Sequence, residues 1–150
     1  MSTIVIVDST VLLNILNVPG RNQRRMEVLA ELNELVEAGD HLFIPMAAVV
    51  EVGNHIAHLG DGVQRRAAAQ RFVSEVRKAL SNDAPWKPIN FPSMQELLSW
   101  LDAFPNSAMA GMGIGDLSIK KEWEVLCERF AMSRVRVWTL NGHLAWLDRN

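Results

Sequence analysis

Tyrosine is absent from this 150-residue chain, cysteine occurs once, and neither sign of charge dominates. The single Cys127 excludes an internal disulfide. Fifteen Lys plus Arg stand against seventeen Asp plus Glu, a net charge of -2. Bulk charge therefore does not mark a nucleic-acid binder, and any such binding must rest on a local patch. There is no signal-peptide pattern and no apolar run of spanning length, so the expectation is a cytoplasmic protein without a membrane partner. Repeats, low-complexity tracts and long linkers are missing too, and residues 1–150 read as a single domain. What is present is apolar: 49% of the chain, enough to exclude disorder and, at this length, to bury a real core.

The chain is organised around Ile4-Val5-Ile6-Val7-Asp8-Ser9-Thr10. Consecutive β-formers ended by an acid read as a strand buried on both faces. In open α/β sheets, ligands sit beyond the carboxyl ends of the strands, so Asp8 is a site candidate. It is equally a candidate cap for a short helix over 9–16. A helix over about 23–37 ends at Gly39, a strand covers 41–44, and Pro45 opens a helix to about Leu59. Strand, helix, strand, helix predicts an α/β domain with a parallel sheet and right-handed crossovers. Further on, the pattern predicts a helix over 63–80 and an edge strand over 86–91, where Pro88 is tolerated. A helix over 93–104 is expected to bury Leu97, Leu98, Trp100 and Leu101. An irregular segment to Gly115, a helix opened by Asp116 and running to about Met132, a strand over 134–139 and a terminal helix over 143–148 complete the chain.

Two more acids stand out. Glu51 is the only charge in Ala47-Ala48-Val49-Val50-Glu51-Val52-Gly53, where a carboxylate is costly unless paired, metal-bound or turned to a cleft. Asp116 follows a glycine-rich stretch, where it is also a plain helix cap. Asn141 follows the last strand, at the same sheet edge as Asp8 if the strands are parallel. Carboxylates gathered there repel one another unless a cation lies among them, and oxygen-only ligands select a hard ion, Mg²⁺ or Mn²⁺.

These residues carry a family resemblance. Val-Asp-Ser-Thr-Val-Leu-Leu at 7–13, Ile-Pro-Met-Ala-Ala-Val-Val-Glu-Val-Gly-Asn-His at 44–55, Gly-Asp-Leu-Ser-Ile at 115–119 and Val-Trp-Thr-Leu-Asn-Gly-His-Leu at 137–144 resemble the motifs of PIN domain nucleases, in order and spacing. That family includes the ribonuclease toxins of bacterial toxin-antitoxin pairs. The resemblance implies a PIN-like three-layer α/β/α fold with a central parallel sheet. It implies Asp8, Glu51 and Asp116 as catalytic acids holding Mg²⁺ or Mn²⁺, with Thr10 and Thr139 supporting them. Asn141 stands where the family often carries a fourth acid; here its amide would steady a water on the metal. The implied activity is hydrolysis of RNA phosphodiester bonds, and the implied partners are RNA, an antitoxin protein and a second copy of the chain. A catalytically weakened PIN-like module that binds RNA or protein is the alternative.

Other patterns carry less. Glu51, His55 and His58 share a helix face without the His pair that a hydrolytic zinc site uses. The Gly111-x-Gly113-x-Gly115 stretch lacks the Lys-Ser/Thr of a phosphate loop. A phosphotransfer or dehalogenase-like reading of Asp8 lacks a second Asp at position 10. Arg21, Arg24, Arg25, Lys120 and Lys121 are solvated helix residues or, in a nuclease, contacts for backbone phosphates.

Overall fold

The computed structural model describes residues 2–89 and 91–150. Strands β1 (Ile4–Val7), β2 (His41–Ile44), β3 (Trp86–Pro88), β4 (Val135–Trp138) and β5 (Asp148–Arg149) form one sheet in the order β3-β2-β1-β4-β5. The first four run parallel, with Val5 opposite Leu42 and Val7 opposite Trp138; β5 is antiparallel to β4. The sheet is thus mixed, which corrects the expectation of a parallel one at its last strand. The terminal helix expected over 143–148 is instead a run of turns leading into β5. Only residues 139–147 separate β4 from β5, and a parallel return needs a crossover of a dozen or more residues. Pro88 closes β3 at the sheet's edge, as expected, while Asn90, which the expected strand included, lies outside the described residues.

Among the described residues, six helices accompany the sheet: α1 (Ser9–Ile15), α2 (Arg25–Glu37), α3 (Met46–Ala57), α4 (Gly62–Leu80), α5 (Met94–Met109) and α6 (Ile114–Arg129). Because strand side chains alternate between faces, β1 feeds two cores. Val5 and Val7 pack with Leu12, Val28, Val52 and Ala68 from α1 to α4; Ile4 and Ile6 pack with Ile119 and Leu126 from α6 and with Leu144 and Leu147. Apolar clusters on both faces are compatible with helix, sheet and helix layers. Among the described residues, no helix is long and apolar enough to cross a membrane.

Helix ends follow local chemistry. Gly39 takes φ +74 after α2, where the Gly39 N–H bonds the Val36 carbonyl and the Asp40 N–H bonds that of Leu35, closing the last turn. Ser93 and Glu96 form a reciprocal capping box at the start of α5. The segment 105–115, expected to be irregular, is largely helical: α5 continues through Pro105 to Met109 and closes at Gly111, φ +84, with Met112 N–H bonded to the Ser107 carbonyl. Pro105 is exposed, so the carbonyl its ring leaves unpaired can be hydrated.

The expected buried side of α5 is corrected as well. None of its residues is buried; Leu97, Leu98 and Leu101 are 44%, 58% and 51% exposed. The helix packs on α6 and does not reach the sheet cores, so its apolar stripe meets little opposing surface.

At the chain's end, Arg149 ties β5 to the close of α6, donating to the carbonyls of Cys127 (2.6 Å), Phe130 (2.8 Å) and Ser133 (2.5 Å). These include carbonyls that a helix end leaves without intrahelical partners. From β1 the chain moves to β2 and β3 on one side and to β4 on the other. The carboxyl ends of β1 and β4 therefore flank the switch point where open α/β sheets place ligands.

Candidate functional site

Asp8 follows β1 directly and is 2% exposed. It occupies the cap position of α1, yet its side chain makes no capping bond. Its carboxylate is turned to the neighbouring strand end instead. Oδ2 accepts from the Thr139 hydroxyl at 2.7 Å and from the Thr10 hydroxyl at 3.0 Å, while the Ser9 hydroxyl lies 3.5 Å from Oδ1. Each threonine is held in turn. Thr10 Oγ1 accepts from the Leu140 N–H at 2.9 Å and Thr139 Oγ1 from the Asn141 N–H at 2.9 Å. Two hydroxyls donating to one carboxylate oxygen fix its orientation.

Asp116 is likewise not a cap, although the sequence allowed that reading. Gly113 occupies the cap position, α6 begins at Ile114, and Asp116 falls in the first turn. Burial raises its pKa, and the charges of Asp8 and Glu51 raise it further; His143 acts in the opposite direction. Three acids from β1, α3 and α6 thus share one electrostatic neighbourhood. Glu51 lies at the exposed edge of α3, with Oε1 3.7 Å from His55 Nε2. His58 faces away to the Asn54 carbonyl, at 2.6 Å.

Asn141 follows Thr139 by two residues, and its side-chain oxygen accepts from the His143 N–H at 3.0 Å. The amide oxygen expected to face a metal or its water is therefore engaged in a local turn. His143 had no place among the sequence candidates. A histidine two residues beyond Asn141, in the segment after β4, was the available signal, masked by assigning it to a helix.

The basic residues are scattered. Arg24 pairs with Glu27 at 2.7 Å. Arg25 donates to the carbonyls of Asn14 (2.8 Å) and Ile15 (2.5 Å) at the far end of α1, roughly 10 Å along the helix from Asp8 at 1.5 Å per residue. Arg21 is exposed just before α2. Lys120 lies over the Trp146 ring, 5.6 Å from its centroid, and Lys121 is 3.8 Å from Glu124.

Among the described residues, no group of three or more His, Cys, Asp or Glu side chains is close enough to hold one metal ion. Mg²⁺ keeps several waters and needs only one or two protein carboxylates, so a looser donor set still fits it. The pKa of Asp116 is raised first by burial and then by the charges of Asp8 and Glu51, a partly buried acid with further acids acting on it. No family model matches the chain, and no curated protein matches it.

Proposed function

We propose that this protein is a metal-dependent ribonuclease of PIN type, acting on RNA phosphodiester bonds as the toxin of a toxin-antitoxin pair. The observation that carries the reading is Asp116, whose pKa is raised by burial and then by the charges of Asp8 and Glu51, with Asp8 at the carboxyl end of the central strand β1. Asp8, Glu51 and Asp116 would hold Mg²⁺ or Mn²⁺, which supplies Lewis acidity for activating a water and offsetting charge on the leaving oxygen. Thr10 and Thr139 hold the Asp8 carboxylate in a fixed orientation. Thr139 also anchors the backbone of Asn141, and through the turn at Asn141 it sets the position of His143. Arg21, Arg24, Lys120 and Lys121 are the candidates for phosphate contacts; Arg25, committed to carbonyls of α1, supports the fold first. The fold reading that accompanies this function is the PIN-like three-layer arrangement.

The same reading brings protein partners, an antitoxin and a second copy of the chain. The half-exposed leucines of α5 are suitable apolar surface for either. Light scattering at micromolar concentration is expected to give twice the mass of one chain; a clean single-chain mass removes the homodimer.

A second reading, a catalytically weakened module that binds RNA or protein, is favoured by the locally bonded oxygen of Asn141 and by the looseness of the acid group. The deciding experiment incubates purified protein with mixed RNA, with Mn²⁺, Mg²⁺ or chelator, beside Asp8→Asn. Metal-dependent cleavage lost in Asp8→Asn supports the nuclease. Binding of RNA without cleavage supports the module, and neither activity overturns the nuclease and the RNA-binding form of the module.

A further inference from the structure

A second site lies away from the three acids. A cavity of about 410 Å³ opens between α5, α6 and the ends of β2 and β3. None of Asp8, Glu51, Asp116 or Asn141 lines it. Glu122 of α6 does, at 9% exposure, and its Oε2 is fully buried with no hydrogen-bond partner among the described residues. Buried carboxylate oxygens without a partner are rare because each forfeits its hydration without replacement.

We propose that this cavity binds a small organic cation, an ammonium or guanidinium on a short apolar stem, with Glu122 as its anionic seat. The cation would sit against the Glu122 carboxylate where it lines the cavity and offset its charge. Phe43, Ile89 and Trp100 line the same cavity and provide apolar and aromatic contact for the stem. The charge balance agrees: Glu96, Glu122, Glu124 and Glu128 outnumber Lys121 and Arg129, and Lys121 is already beside Glu124 at 3.8 Å. The volume lies within the range of small-molecule pockets. Burial, with a contribution from Glu96, pushes the Glu122 pKa up to about 7, so a bound cation would hold an otherwise readily protonated group in its charged form.

The test titrates n-hexylammonium and n-hexanol, which share a stem and differ in charge, into the full chain at pH 8, read by tryptophan fluorescence and by NMR shifts. Saturable binding of the ammonium at least tenfold tighter than of the alcohol is expected. Glu122→Gln, whose folding is checked by its melting curve, should erase that preference while hexanol binding stays. Trp100→Ala should weaken both probes. Nα-acetyl-lysine methylamide separates the sources of the cation. Binding as tight as hexylammonium assigns it to a side chain of a protein partner, whereas binding tenfold weaker assigns a free amine. Equal affinity for ammonium and alcohol in the wild type, a cation preference that survives Glu122→Gln, or indifference to Trp100→Ala overturns the proposal. None of these outcomes depends on nuclease activity.

Discussion

The Thr139 hydroxyl donates to Asp8 Oδ2 at 2.7 Å, joining the ends of β4 and β1 across 131 residues of sequence. The contact is possible because these strands are parallel neighbours with Trp138 in register with Val7. One side chain thereby orients the buried acid and, by accepting from the Asn141 N–H, shapes the turn that follows.

Thr139→Val keeps the shape of that residue and removes both bonds. A hydrogen bond to a charged group contributes roughly 1.5–3 kcal/mol, so denaturant unfolding should show a loss of about 2 kcal/mol. Thr139→Ser should retain most of the stability. Equal losses for the two variants would show that the methyl group, not the hydroxyl, matters.

Asp116 has opposite effects with and without metal. Its pKa is raised in the fold, so the folded state binds more protons than the unfolded one, and stability falls as pH rises through that range. Above it, in chelator, Asp116→Asn should melt higher than the wild type. Added Mn²⁺ should raise the melting temperature of the wild type and leave the variant nearly unchanged. A variant that responds to Mn²⁺ like the wild type would remove Asp116 from the metal site.

At Asn141, a carboxylate would return a fourth negative charge. Asn141→Asp should tighten Mn²⁺ binding, keep or raise RNA cleavage, and lower the melting temperature in chelator through repulsion. A cleavage assay run across a metal titration checks this. Loss of a robust wild-type cleavage would mean that the amide N–H₂, which a carboxylate lacks, contacts RNA.

Glu122 predicts a separate pH dependence. Its folded pKa of about 7 lies above the ordinary 4.5, so its contribution is lost as pH rises between those values and is flat above them. At 1.36 kcal/mol per unit the change is on the order of 3 kcal/mol. Unfolding at pH 5 and pH 8 should therefore differ more in the wild type than in Glu122→Gln, and the variant should be the more stable at pH 8. Parallel pH profiles would contradict it.

By itself the sequence determined what depends on near neighbours. The strand at Ile4–Val7, the stop at Gly39, the cap at Ser93 and the edge position of Pro88 each follow from residues within a turn or a strand length. The acids Asp8, Glu51 and Asp116 stood out as charges ending or interrupting apolar and glycine-rich stretches. Tertiary structure alone decided matters that turn on what arrives from elsewhere in the chain. It turned Asp8 and Asp116 away from helix capping, engaged the Asn141 oxygen in its own turn, and drew Arg25 to the end of α1. It left α5 half-exposed although its stripe is as apolar as a buried one, because burial requires an opposing surface as well as a hydrophobic face. Glu122 illustrates the same limit: in sequence it is one of several charges on a helix, and only the packing of α5 over α6 buries its carboxylate without a partner.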